Sequence, residues 1–579
     1  MEGAPLAPSF RAAAFARPKA ARPTWFSASG WLLSAGLIAL FVLVPFTGLL
    51  LEAAKGSDGL WDHLFSTVLP VALWDTAILL AGVGLATAII GTTTAWLVTA
   101  YDFPGRRVLE WALLLPLAVP TYIIAYAYLD ILHPIGPLQG AIRWLLGYES
   151  PRDFRLPDIR SMTGCIMLLG FVLYPYVYIP TRAMFITQSG TLIEAARTLG
   201  VSRRGVFWRV ALPLARPAVA VGISLALMET LNDIGAAEFL GVRTMTVSIY
   251  TTWITRADLP GAAQIALVLL MMVVALVALE RWARRKQRYA CDARRSRKLV
   301  PQPVAKGSGI ALLAAGALPV LLGFVAPALY LAAKAWERYQ FAGLSQRIIG
   351  EAFSTVTIAA VATVVTVGFG LVVAYATRLK PGAKSSWLLR LSTLGYAAPG
   401  TVVAIGVLIV LAGLDGHIDR LATNWLGFST GLLFIGSGAA VIYALTVRFL
   451  AISAGGIEAG LSRIPASLDQ ASRNLGQSTA GTFRHVHLPL SKPAIAAAGL
   501  LVFVDCVKEL PATLLLRPLN VETFATHLYG EAARGTYEEA SIAALAIVAV
   551  SILPVILLSR IGQDRAARKQ QVPLGLLQQ

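Results

Sequence analysis

Four carboxylates stand where carboxylates are costly. Glu229 and Asp233 lie in M-E-T-L-N-D-I-G, and Asp505 and Glu509 in V-D-C-V-K-E-L-P, each at the end of a long apolar run. The i, i+4 spacing within each pair places both side chains on one face of a helix. Charges inside an apolar run usually face a bundle interior or a water path and mark function. Negative charge beside a narrow path lowers the barrier for a cation, the more so where water is scarce. The chemistry on offer is therefore the passage of a cation. Lys508, aligned with Asn232, offers the other use of such a cluster, a structural ion pair.

The elements that must hold these groups come in duplicate. Residues 194–217 and 470–493 share 12 of 24 positions without a gap, at a constant offset of 276 that also aligns Glu229 with Asp505 and Asp233 with Glu509. Thr191 with Glu194, and Ser467 with Gln470, fit the S/T-x-x-E/Q capping box that starts a helix. Gly200 and Gly476 fall where a left-handed residue ends that helix, and Ser202 and Ser478 fall where a second one needs a cap. Leu212-Pro213 and Leu488-Pro489 then open the next apolar run, proline being tolerated in a first turn. An internal repeat of this length sets the architecture.

The chain of 579 residues is 56% hydrophobic and 14% charged, with repeated apolar runs. Runs of about 20 such residues span a bilayer. Spans are expected near 31–51, 72–100, 108–130, 161–183, 214–240 and 262–281, then near 309–333, 354–377, 386–412, 428–450, 492–514 and 541–560. The fold class is an all-α integral membrane protein of 12 transmembrane helices in two pseudosymmetric six-helix halves. Its segments are 1–30 (N-terminal, cytoplasmic), 31–282 (first half), 283–308 (basic linker), 309–562 (second half) and 563–579 (cytoplasmic tail). The loops on one side carry Arg106 and Arg107, Arg203 and Arg204, Arg378 and Lys380, and Arg463 and Arg473. Those on the other are mixed or acidic, as at Asp415 to Asp419. The positive-inside rule then puts both termini in the cytoplasm.

The net charge of +18 is placed by this reading in cytoplasmic loops and the linker, not on a nucleic-acid surface. Cys165, Cys291 and Cys506 have no paired spacing, so neither a disulfide framework nor a zinc site is expected. No catalytic motif appears; Pro381 to Ser386 lacks the glycine and the G-K-[ST] junction of a phosphate loop. His485 and His487 are expected on a solvated face.

The repeated stretch resembles the cytoplasmic signature loop of the membrane subunits of binding-protein-dependent ABC importers, E-A-A-x3-G-x9-[IV]-x-L-P. Glu194, Ala195, Ala196, Gly200, Val210, Leu212 and Pro213 match it position by position. In the second copy Gln470, Ala471 and Ser472 replace E-A-A, while Gly476, Val486, Leu488 and Pro489 keep the frame. M-E-T-L-N-D-I-G, F-L-G-V-R-T-M-T-V-S-I-Y and K-E-L-P-A-T-L-L-L-R-P-L-N are similar to ferric-iron importer permeases, whose members fuse two halves in one chain.

The resemblance implies a permease, not an enzyme, in a bacterial inner membrane. ABC ATPase subunits, a homodimer, would dock on the paired loops, and an external solute-binding protein would deliver the cargo. ATP would be used by the partner, with no cofactor bound by this chain and no resident metal assigned. Iron(III) is a hard cation suited to oxygen ligands, which the carboxylates and Tyr122, Tyr126, Tyr128, Tyr174, Tyr176 and Tyr178 could supply. Thiamine, sulfate, phosphonate or polyamine permeases share parts of this layout. A secondary transporter of 12 spans is the competing class, but it has no need of the paired loop.

Overall fold

In an apolar surrounding every backbone N–H must find its acceptor within its own segment, so the long Leu, Ala, Val and Ile runs become helices. The computed structural model describes residues 28–56, 59–187, 196–284, 301–536 and 538–552. The first half is built of α1 (Ala28–Ala53), α2 (Leu69–Ala100), α3 (Arg106–Ala112), α4 (Thr121–Ile131), α5 (Pro137–Leu146), α6 (Met162–Thr187), α7 (Leu212–Asn232), α8 (Gly235–Phe239), α9 (Met245–Ile254) and α10 (Leu259–Arg284). The second half runs α11 (Lys306–Val320), α12 (Ala326–Ala342), α13 (Gln346–Leu379), α14 (Ala383–Ser392), α15 (Gly400–Leu426), α16 (Ala439–Leu461), α17 (Ala466–Asn474), α18 (Leu488–Val507), α19 (Pro511–Leu516) and α20 (Phe524–Arg534). Two strands of two residues, Tyr101–Asp102 and Gln302–Pro303, pair in parallel and form the sheet among the described residues.

Ten described helices are long and apolar enough to cross a membrane, against the twelve expected. The expected third span is broken: Arg106–Ala118 and Thr121–Ile131 meet at 93°. The break falls at a proline, which disfavours helical geometry in the residue before it. Val119, ahead of Pro120, is extended at φ −108° and ψ 120°. Ala398, ahead of Pro399, repeats this at φ −84° and ψ 134°. The twelfth expected span appears as the shorter helix Ser541–Ile552, and its continuation lies outside the described residues.

The expected spans at 386–412 and 428–450 are displaced, with crossing helices at Gly400–Leu426 and Ala439–Leu461. Asp415 and Asp419 therefore lie inside α15, not in a loop. Each carboxylate accepts backbone N–H groups from the segment that folds back over the helix: Asp415 from Phe434 at 3.0 Å and Ile435 at 3.0 Å, Asp419 from Thr430 at 2.8 Å. The tail at 563–579 and most of the linker lie outside the described residues.

The first helix of each half lies on the other half. α1 packs against α13, α14 and α15. Phe41 of α1 also stacks on Tyr443 of α16 at 4.0 Å, and the Tyr443 hydroxyl donates to the Phe41 carbonyl at 2.8 Å. In return Tyr128 donates to the carbonyl of Leu322 at 2.6 Å, and Tyr330 hydrogen-bonds Asp130. The halves also repeat single bonds: Met245 N–H donates to Thr76 Oγ1 at 3.1 Å, and Phe524 N–H to Thr355 Oγ1 at 2.9 Å.

This exchange rests on close backbone approach at Gly406, where an added Cβ would come within 2.8 Å of the Pro45 carbonyl carbon. Gly406→Val is expected to cost about 1–3 kcal/mol through overpacking. It should lower the thermal midpoint of the detergent-solubilised protein. Gly413→Val, where a Cβ meets nothing within 4 Å, should leave that midpoint in place.

Candidate functional site

The fifth span of each half stops short and restarts. α7 ends at Asp233, extended at φ −71° and ψ 131°, before Ile234 turns into α8. α18 ends at Lys508, and Leu510 turns into α19 with φ −112° and ψ −51°, close to the −116° and −46° of Ile234. A helix start leaves N–H groups without partners, and here a carboxylate takes them. Asp233 accepts the Ala237 N–H at 2.9 Å and the Thr121 hydroxyl at 2.5 Å. Glu509 accepts the N–H of Ala512 at 2.8 Å, the N–H of Thr513 at 3.0 Å and the Thr513 hydroxyl at 2.7 Å. The single helix face expected for each carboxylate pair is thus not what forms, since the helix breaks between its members.

The restart points face the proline breaks of the opposite half. Gly400 N–H, opening α15, donates to Asn232 Oδ1 at 2.8 Å. The Tyr122 hydroxyl, in the first turn of α4, donates to the Lys508 carbonyl at 3.2 Å. Asn232 and Lys508 are the aligned pair of the repeat, so each half is bonded to the other at the same depth.

Between these crossings lies a cavity of about 160 Å³ lined by residues of both halves. All four carboxylates expected on a path line it, with Tyr176, Tyr396, Arg448 and Lys508. Asp505 pairs with Lys508 at 2.8 Å, and Glu509 pairs with Arg448 at 2.6 Å. The Glu229 carboxylate is hydrogen-bonded by Tyr176. Tyr122 also lines the cavity, whereas Tyr128 and Tyr178 donate to the carbonyls of Leu322 and Glu110, and Tyr126 and Tyr174 are buried in packing. Sequence reasoning did not single out Arg448, although an arginine inside an apolar run is the same signal that marked the carboxylates. Tyr396 is brought in by the Pro399 break and carried no signal of its own. Among the described residues no group of three or more His, Cys, Asp or Glu side chains could hold a metal ion.

Facing away from the cavity are the repeated loops. Glu194 and Ala195 lie outside the described residues; Ala196 opens the described part of the first loop. Gly200 and Gly476 are left-handed at φ +81° and +79°. Val201 N–H reaches the Ala196 carbonyl at 3.0 Å and Gln477 N–H the Ser472 carbonyl at 3.1 Å, the Schellman closure of a helix end in both copies. Ser202 caps Gly205 and Ser478 caps Gly481, each at 3.2 Å. Leu212-Pro213 and Leu488-Pro489 begin α7 and α18, and Gln470 and Ala471 lie in α17. Leu199 and Leu475, beside the glycines, are 83% and 82% exposed, so each loop presents an apolar tip.

Two expectations fail in the second loop. The Ser467–Gln470 capping box does not form, because Pro465 takes the entry position with φ −60° and leaves Ser467 inside the first turn. His487 is buried rather than solvated: its Nε2 lies 2.5 Å from Asp469 Oδ1 and its Nδ1 3.2 Å from the Tyr375 hydroxyl, while His485 is exposed. Burial works to raise the Asp469 carboxyl, but hydrogen bonds from His487 and Arg378 outweigh it and hold the group below the usual carboxylate value.

A family model described as "Binding-protein-dependent transport system inner membrane component" matches residues 87–289 and again 366–571. The chain is 24% identical over 530 residues to the Fe(3+)-transport system permease protein FbpB 2 of Haemophilus influenzae, covering 90% of this chain and 96% of that one. It is 25% identical over 573 residues to a probable ABC transporter permease protein of Sinorhizobium fredii, covering 93% and 96%. One part is 27% identical over 252 residues to the sulfate transport system permease protein CysT of Escherichia coli, covering 42% of this chain and 87% of that one.

The two capping carboxylates differ in what they leave behind. Asp233→Asn keeps an oxygen acceptor and strands no cation, so it is expected to cost about 1 kcal/mol, the scale of a weakened cap. Glu509→Gln removes the charge facing Arg448, and an uncompensated buried cation costs about 3–5 kcal/mol. Thermal unfolding of the two purified variants should therefore show the larger loss at Glu509, and Arg448→Met in the same chain should restore part of it.

Proposed function

Because the chain belongs to the binding-protein-dependent transport system inner membrane component family and carries that family's domain in both halves, we propose that this ABC importer permease moves ferric iron. The observation that carries the reading is the lining of the shared cavity. Glu229 and Tyr176 come from the first half, Asp505 and Tyr396 from the second, and all four present oxygen. A hard trivalent cation favours carboxylate and phenol oxygen over nitrogen or sulfur. Both lining cations are already engaged, Lys508 by Asp505 and Arg448 by Glu509. Glu229 and Asp233 therefore remain as surplus negative charge.

In this reading ATP is hydrolysed on separate subunits, a homodimer seated on the two loops, with Glu194 to Ala196 and Gln470 to Ser472 in the contact. An external solute-binding protein delivers the ion to the opposite mouth, and the path runs past Glu229, Asp233, Asp505 and Glu509. The chain sits in the inner membrane with both termini cytoplasmic, an orientation supported by the basic loops on the coupling side. It binds no cofactor and no nucleic acid, and its basic run at 283–308 serves as a cytoplasmic linker beside the membrane.

Arg448 and Lys508 also favour a second reading, an anionic cargo, since both line the cavity. Relatives of one half carry sulfate and 2-aminoethylphosphonate transport in their names. The two readings respond oppositely to charge. Glu229→Gln removes one negative charge near the cargo, which at ~6 Å and an effective dielectric of ~20 is worth about 3 kcal/mol per unit of cargo charge. For ferric iron, uptake of the radiolabelled ion into proteoliposomes holding the whole transporter should fall at least about tenfold, with expression and subunit assembly retained. Unchanged iron uptake, or a gain in sulfate uptake, would turn the assignment towards an anion.

The loops generate a separate expectation. At Gly200 and Gly476 an added Cβ meets nothing within 4 Å, so only the positive φ opposes substitution. Valine there costs at least about 1 kcal/mol in a left-handed turn. Gly200→Val and Gly476→Val should insert normally but lose ATPase association or coupled transport. Wild-type transport by both single variants would remove the loops from the coupling role.

A further inference from the structure

The two coupling loops are alike in backbone and unlike in what holds them. In the second half, Arg378 in the last turn of α13 donates to the carbonyls of Leu461 at 2.6 Å and Ile464 at 3.0 Å, where α16 ends. The same guanidinium reaches both oxygens of Asp469, at 3.2 and 3.1 Å. Asp469 sits on α17 and is met from the other side by His487, at the foot of α18. Tyr375, one turn before Arg378, lies against His487 and Phe483, with Trp31 of α1 packed on the same ring at 4.8 Å. The Asp469 carboxylate thus ties the loop helix to α13 and α18, and Arg378 extends the tie to the end of α16.

Phe483 has its match in Phe207, but Arg378, Asp469, His487 and Tyr375 have no like residue at the matching positions of the first half. The offset of 279 that relates α2 to α13 puts Trp96 at the place of Tyr375 and Thr99 at that of Arg378. The offset of 276 puts Ala211 at the place of His487 and Ile193 at that of Asp469. Thr99 turns its hydroxyl back to the Ala95 carbonyl at 2.7 Å. Trp96 instead packs on Phe185 at 5.2 Å and Phe207 at 5.4 Å. Ala196 and Val206 of the first loop pack among Trp96, Val201 and Val210, while the second loop is held by a charged, partly buried clamp.

We propose that Arg378, Asp469 and His487 are positioning residues that fasten α17 to α13, α16 and α18 as one rigid body, making the second coupling loop a stiff transmitter. Apolar contacts are non-directional and let a loop slide. A guanidinium fork that shares its donors among a carboxylate and two carbonyls fixes both distance and angle. A push on α17 is then carried into the cavity wall through α18, which ends in Asp505 and Lys508. This rests on the reading that a separate ATPase drives the chain.

The first test needs no ATPase. Hydrogen exchange of the full chain in detergent should show amides of 466–474 exchanging about tenfold faster in Asp469→Asn than in the unsubstituted chain. Thr99→Ala, at the first-half position that matches Arg378, should not change exchange in 196–206. The second test uses the reconstituted complex and reads cargo moved per ATP hydrolysed. Asp469→Asn should keep ATP hydrolysis and lose at least about fivefold in that ratio, the low end of measurable coupling. Arg378→Lys, which keeps the charge but not the fork, should fall between, and Asp469→Glu should recover part of the ratio. Absence of ATP-driven transport in the unsubstituted complex would count against the ATPase reading alone. Unchanged exchange in 466–474, or an unchanged ratio in whichever of Asp469→Asn and Arg378→Lys is recovered folded, would overturn the proposal.

Discussion

A helix that starts inside a bilayer leaves backbone N–H groups that no water can reach, and each unmet group costs several kcal/mol. The architecture depends on meeting that cost twice, at Asp233 and Glu509. Because each carboxylate takes the amides of the helix that follows it, the fifth span of either half can stop at the level of the cavity and restart in a new direction. The proline breaks at Pro120 and Pro399 bring the opposing helix starts to the same level. Gly400 then meets Asn232 and Tyr122 meets Lys508 across the halves. Straight helices at these four places would leave a packed bundle with no room at its centre.

The repeat was kept in backbone and released in side chains. Both left-handed glycines, both serine caps and both fifth-span breaks recur at an offset of 276. The charges do not. The first half supplies Glu229 and Asp233 and no cation to the lining, whereas the second supplies two carboxylates and the two cations that engage them. A cavity assembled from unequal walls can bind a cargo that lacks twofold symmetry. An ion of one charge sign meets one wall that holds it and one that is already neutral.

The repeat, the fold class and the four lining carboxylates were legible in the sequence, because identity at a fixed offset and charge inside apolar runs are local signals. What could not be read were the breaks. Pro120 and Pro399 were visible, yet whether a proline kinks a span or splits it at 93° depends on what receives the freed amides, and those partners come from distant segments. Asp415 and Asp419 read as loop acids because the apolar run around α15 is no more apolar than its neighbours. They lie inside the helix because residues 429–435 fold back onto it and need acceptors. His487 was misjudged for a related reason. Its partners Tyr375 and Asp469 stand 112 and 18 residues away, and nothing local to His487 announces either.

The central claim is that the cavity between the halves serves a hard cation driven by ATP hydrolysed elsewhere. Its most direct test is ATP-dependent uptake by the unsubstituted transporter, reconstituted with its ATPase and binding protein and offered ferric iron and sulfate, each radiolabelled, under the same conditions. The account predicts accumulation of iron that stops without ATP, with no ATP-dependent accumulation of sulfate. ATP-dependent entry of sulfate with iron excluded would contradict it.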